Sequence, residues 1–218
     1  MTAPGRASKP LPPGDISRRR CLGAASLATL APLWPGLAKA GAQLEEPLAD
    51  SVRSALSAAI ASQSPPVPVF AHAEDRRFYQ RWVERTSPRL PSTIPDGQIR
   101  QEFLQTVWYE SQRARLDVSL VLGLIQIESN FRKFAVSSAG ARGFMQIMPF
   151  WSRLIGDGDA SKLFQVQLNL RFGCVILRHY LEREQGEVFM ALGRYNGSRG
   201  QAPYPDAVLR ASSTWLSS

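Results

Sequence analysis

Apolar positions recur along this chain at helical spacing and almost never alternate. Pro47 to Ser62 is a short amphipathic candidate, and Glu74 to Glu84 places Phe78 and Trp82 one turn apart. Ile99 to Arg115 sets Ile99, Phe103, Val107 and Trp108 on one face. Asp117 is placed to cap a nearly all-apolar helix over Val118 to Asn130. Further helical patterns cover Val166 to Glu184, Val188 to Tyr195 and Asp206 to Thr214, without convincing strands or an internal repeat, so the fold class is all-α. Two breaks interrupt this order: the extended linker Ser64-Pro65-Pro66-Val67-Pro68, and the turn-rich stretch from Ser87-Pro88 to Pro95-Asp96-Gly97. They divide the chain beyond residue 40 into a short helical extension with its linker, 41–97, and a main domain, 98–218.

Residues 1–40 have a different pattern. A Pro/Gly-rich start leads to Ser17-Arg18-Arg19-Arg20, then to an apolar stretch from Cys21 to Leu37 that ends at Ala38-Lys39-Ala40. A basic region, an apolar region and a small-x-small site describe a cleavable export signal, here resembling the twin-arginine class with cleavage after Ala40. Pro32 and Pro35 interrupt the stretch and oppose an uncleaved spanning helix. The expected compartment is the periplasm, with no membrane span after cleavage.

That segment changes how the charge is understood. The chain of 218 residues carries 26 Lys+Arg and 18 Asp+Glu, a formal +8 that invites a nucleic-acid partner. Six of the basic residues and one acid, Asp15, lie in 1–40, which leaves 20 basic and 17 acidic residues beyond it. No block of Lys/Arg interleaved with aromatics remains, so no nucleic-acid partner is expected. Two cysteines, Cys21 and Cys174, and two histidines supply neither a disulfide framework nor a His-rich metal site; no metal and no cofactor is expected. Cys174 and His179 are five apart, off the same-face spacing of a helix, so they do not form a nucleophile pair; Cys174 is expected in the core and His179 solvated or capping.

Chemistry enters at one position. Val118 to Phe131 reads VSLVLGLIQIESNF, and its single carboxylate is Glu128. Leu124 and Ile125, three and four positions earlier, lie beside it on a helix, so its surroundings are apolar and its pKa should rise. A carboxyl that keeps its proton near neutrality is what a general acid requires. The alternative at this point is a structural ion pair with Arg132 at i+4. The Gly/Ala/Ser-rich loop from Ser137 to Gln146 would let backbone approach a ligand, and Pro149 and Trp151 beyond it favour a groove wall.

The ordered motifs Glu128-Ser129-x-Phe131, Ala135-Val136-Ser137-x-Ala139-Gly140-Ala141-x-Gly143-x-Met145-Gln146-x-Met148-Pro149, Asn169 to Gly173 and Tyr195-Asn196 resemble the lytic transglycosylase domain of glycoside hydrolase family 23. The resemblance spans about 113–208 and implies a goose-type lysozyme-like fold. It also implies a role for each matched residue: Glu128 as the sole catalytic carboxylate, acid then base; Ser137 contacting the substrate; Met145 and Gln146 lining the glycan groove; Tyr195 with its hydroxyl near the glutamate; Asn196 supporting that loop. Where the family commonly reads Ala-Tyr-Asn-Ala-Gly, this chain reads Arg194-Tyr195-Asn196-Gly197-Ser198, which leaves the subsite around Tyr195 open.

The implied partner is the peptidoglycan glycan strand, cut by a monomeric, cofactor-free enzyme to give 1,6-anhydro ends. A role in a wall, secretion or conjugation assembly stays open. Hydrolysis normally needs two carboxylates. Asp157 and Asp159 are the nearest candidates for a second one in a lysozyme-like hydrolase, and otherwise read as turn or capping residues. A third alternative is a non-catalytic wall-binding module, against which a buried lone acid argues. Arg76, Arg77, Arg81 and Arg85 read as a solvated helix face able to attract an anionic polymer.

Overall fold

A computed structural model describes Met1 and residues 43–61, 68–95 and 97–216. The expected export segment, the linker 64–67 and Asp96 lie outside the described residues. Eight α-helices are found among the described residues: α1 (Asp50–Ala61), α2 (Ala73–Thr86), α3 (Gln98–Arg113), α4 (Val118–Ser129), α5 (Pro149–Ile155), α6 (Val166–Arg183), α7 (Val188–Asn196) and α8 (Pro203–Leu216). Short 3-10 turns cover Ser87–Arg89 and Ala160–Phe164. No strand is found among the described residues; only the isolated bridges Val136 to Arg142 and Arg142 to Ile147 tie the loop between α4 and α5.

The most apolar helix is the central one. Leu120 through Ile125 of α4 are buried without interruption, as a helix apolar on all sides must be. Asp117 caps its start by accepting the Ser119 N–H at 2.7 Å. Helix α8 lies hard against α4: a Cβ on Gly123 would sit 2.5 Å from the backbone nitrogen of Ser212, so only glycine permits this approach. Helix α3 packs on both α4 and α6, and α7 bridges α6 and α8. Helix α1 packs on α5 and α6, with Leu56 and Ile60 joining the buried core.

Packing corrects three of the sequence expectations. Ile99 and Phe78 are each 56% exposed, because each sits at the margin of a stripe centred on Phe103–Val107 and Trp82 respectively. Trp151 is buried in the core, its Nε1–H donating to Gln43 Oε1 at 2.9 Å, and therefore walls no groove; Pro149 instead opens α5. His179 is only half-solvated: its Nε2 is shielded and has no partner among the described residues, and burial lowers its pKa. Cys174 is buried among α6 core residues, as its sequence context suggests.

Candidate active site

Helix α4 ends just beyond its single acid. Asn130 takes the left-handed conformation, φ 48°, and donates its N–H to the Gln126 carbonyl; Phe131 comes next at φ 59°. Two such residues in a row turn the chain sharply away. The strain at a bulky residue with positive φ is offset by burial of the Phe131 ring, which meets Phe103 and Trp215 at centroid distances of 6.1 and 5.6 Å. The turn leaves Glu128 in the last helical turn with 5% of its surface exposed.

Burial pushes the Glu128 carboxyl up to about 8, opposed by a hydrogen bond from Tyr204. The Tyr204 hydroxyl donates to Glu128 Oε1, while Oε2 is buried with no partner among the described residues. Arg132 is turned elsewhere, its Nε donating to the Ser129 carbonyl at 2.9 Å, so the i+4 ion pair is not what holds the acid.

The small-residue loop after α4 is held by side chains from within. Ser137 donates its N–H to the Ala141 carbonyl at 3.0 Å and accepts the Ala141 N–H on Oγ at 3.1 Å. Gln146, buried at φ 48°, donates through Nε2 to the carbonyls of Ala135 and Gly143 at 3.1 and 2.9 Å. Asn169 of α6 clasps the loop from outside it. Its Oδ1 accepts the Met145 N–H at 2.8 Å, and its Nδ2 donates to the carbonyls of Arg142 and Leu163 at 2.9 and 2.7 Å. Met145 is fully buried against Gly173, where a Cβ would fall 2.2 Å from the Met145 sulfur.

Tyr195 lies close enough to Glu128 to feel its charge but bonds elsewhere. Tyr195, fully buried, donates its hydroxyl to the Met145 carbonyl at 2.8 Å, and the hydroxyl on Glu128 comes from Tyr204 instead. Both phenols have pKa values raised by burial and by the nearby Glu128 charge, which keeps them protonated as donors. Asn196 donates through Nδ2 to Ser198 Oγ at 3.0 Å, and its Oδ1 is buried without a partner among the described residues. Thus Tyr195 ties α7 to the Met145–Gln146 loop, Ser137 and Gln146 shape that loop, and Tyr204 alone of these side chains bonds the acid. Sequence periodicity missed Tyr204, because the last helical pattern begins only at Asp206; in the structure Tyr204 joins Val208, Ser212 and Trp215 in the buried stripe of α8.

The other candidate carboxylates are occupied. Asp157 pairs with Lys162, and Asp159 caps the 3-10 turn by accepting the Ser161 N–H at 2.9 Å. Among the described residues no group of three or more His, Cys, Asp or Glu is placed to hold a metal ion.

Comparison with known proteins finds a family model that covers this site. Residues 105–205 match the Transglycosylase SLT domain. A transglycosylase of Enterobacteria phage PRD1 is 32% identical over 116 residues, covering 50% of this chain and 42% of that protein. The membrane-bound lytic murein transglycosylase C of Histophilus somni (strain 2336) is 33% identical over 125 residues, covering 50% of this chain and 33% of that protein. The corresponding protein of Mannheimia succiniciproducens is 43% identical over 49 residues, which are 22% of this chain and 14% of its own. The chain therefore spans less than half the length of these curated relatives. Glu128, the loop braced by Gln146 and Asn169, and both tyrosines all fall inside residues 105–205, the stretch of this chain that matches the Transglycosylase SLT domain.

Proposed function

We propose that this chain is a peptidoglycan lytic transglycosylase that cuts the MurNAc to GlcNAc β-1,4 bond without water. The observation that carries this reading is the lone carboxyl of apolar helix α4, Glu128, its pKa pushed up to about 8 by burial and its Oε1 bonded to Tyr204. Glu128 first donates its proton to the glycosidic oxygen as that bond breaks. The substrate's own acetamido oxygen stabilises C1, which relieves the site of needing a second carboxylate. Glu128, now ionised, takes the proton of the C6 hydroxyl as that oxygen attacks C1, and a 1,6-anhydro ring closes. The internal hydroxyl competes with water because oriented intramolecular groups act at effective molarities of ~10⁵ M or more. Tyr204 orients the carboxyl and steadies its ionised form between the two transfers.

A hydrolase on the same scaffold would need an acid opposite Glu128, and Asp157 and Asp159 are committed to Lys162 and to a turn. The export signal read in 1–40 supports the periplasm as the site of action, reached by the twin-arginine route. The names of the relatives, lytic murein transglycosylases described as membrane-bound, support a place in the cell envelope. No helix among the described residues is long and apolar enough to cross a membrane.

Mass spectrometry of fragments released from purified sacculi tests the proposal. The wild-type chain should yield 1,6-anhydro-MurNAc ends, and Glu128→Gln should lose ~10²–10⁴-fold in rate, the usual worth of a positioned acid–base group. Reducing ends without the anhydro ring, or full activity in Glu128→Gln, would overturn it.

A further inference from the structure

Where the matched stretch begins, residues 68–70, α2 and the first half of α3 line an open cavity of about 550 Å³. That volume lies within the ~300–1,000 Å³ typical of sites for small ligands. Phe70 and Tyr79 line it with their rings 5.3 Å apart, and Tyr79 leans in turn on Trp108 and Trp82 at 5.2 and 6.1 Å. Helix α2 adds Arg76, Gln80 and Glu84, spaced i, i+4 and i+8 along one face, and α3 adds Gln101 and Gln105, again four apart. None of these five polar side chains has a hydrogen-bond or ion-pair partner among the described residues.

The lining selects a ligand class. A primary amide donates and accepts at once, so three of them around one cavity suit hydroxyl and acetamido groups, which also do both. Aromatic rings offer flat apolar faces to the C–H side of a pyranose. Arg76 and Glu84 cancel in net charge, which disfavours a phosphate or another strongly anionic ligand. We propose that this cavity is a second glycan site, which holds a hexosamine unit of a wall strand apart from the Glu128 carboxyl. The identity of the polymer rests on the lytic transglycosylase reading; the match between amides and an N-acetylhexosamine does not. Such a site anchors an insoluble substrate while the catalytic residues release one cut product and meet the next bond. The effective concentration of a tethered strand far exceeds that of a free one.

The test uses the full chain carrying Glu128→Gln, so that bound glycan is not consumed, and tracks the glutamine side-chain amides by NMR during titration with GlcNAc tetrasaccharide. Saturable shifts at Gln80, Gln101 and Gln105 are expected, in addition to any around Glu128. Gln101→Ala/Gln105→Ala should abolish the Gln80 shift and weaken retention on sacculi about tenfold, the worth of two lost hydrogen bonds. It should leave cleavage of a short soluble muropeptide by the otherwise wild-type chain unchanged. Shifts confined to residues around Glu128, or shifts at Gln80, Gln101 and Gln105 reproduced by stem peptide alone, would overturn the proposal. These are binding readouts, so they stand apart from whether Glu128→Gln abolishes cleavage, which decides the activity itself.

Discussion

At the scale of single residues, the site turns on how one acid is desolvated. Glu128 was legible in the sequence because a charge in an otherwise apolar helix stands out, and its neighbours Leu124 and Ile125 are buried. Its partner was not legible, because Tyr204 lies 76 residues beyond Glu128 and only the packing of α8 on α4 brings them together. The carboxyl, held near 8, is protonated at neutral pH, so the acid step should slow as pH rises through about 8. Tyr204 lowers that value by bonding the ionised form, so Tyr204→Phe should move the alkaline limb of the rate profile upward. It should also cut kcat ~10–100-fold, since a hydrogen bond to a charged group is worth ~1.5–3 kcal/mol. A profile that does not move would separate Tyr204 from the proton transfers. The same shift has a signature in stability. A folded-state pKa raised from 4.5 to about 8 favours folding fully below about 4.5, and that contribution is lost as pH rises to about 8. Glu128→Gln should therefore gain in melting temperature relative to wild type between pH 4.5 and 8, and a constant difference across that range would contradict the buried acid.

At the scale of elements, helical periodicity placed the long helices within a few residues, and it failed where no periodicity exists. The loop between α4 and α5 has the small residues expected of a close-packed turn, but nothing in its own sequence shows that Asn169 of α6 would clasp Met145, Arg142 and Leu163. Side chains that serve another element's backbone carry no local signal. The contact of α4 with α8 is the second case, since Gly123 looks like a weak point in an apolar helix until Ser212 is found against it. Gly123→Ala would drive a methyl group to 2.5 Å from the Ser212 nitrogen, and the backbone there cannot yield as a side chain would. We expect ~1–3 kcal/mol of destabilisation in urea denaturation, as for an overpacked core. A fall in kcat should accompany it, because α8 carries Tyr204. An alanine variant that is stable and fully active would show that the two helices slide apart at no cost.

At the scale of the whole molecule, the sequence breaks at 64–68 and 87–97 mark off an extension, yet packing draws that extension onto the matched domain. Leu56, Ile60, Trp82, Leu90 and Ile94 are buried in the same core cluster as α4 and α6. Polar ties reinforce them: the Ile60 carbonyl accepts from Arg171 at 3.2 Å, and Arg171 pairs with buried Glu110 at 3.0 Å. Glu46 pairs with Arg194 at 2.8 Å, two positions before Asn196 in α7. A break in sequence pattern thus reports chain direction better than it reports the limits of a folding unit, because burial depends on where the next helix lands. Each of the five core side chains is worth ~1.5–3 kcal/mol when buried, so together they amount to about 8–15 kcal/mol. That is comparable with the entire stability of a domain, about 5–15 kcal/mol. Residues 98–218 alone should then lack a cooperative melt and leave Arg171 and Glu110 partly uncovered, whereas 43–218 should unfold in one transition. Calorimetry of the two fragments decides between these outcomes. A shorter fragment that melts cooperatively within a few degrees of the longer one would mean that residues 43–97 ride on a core already complete without them.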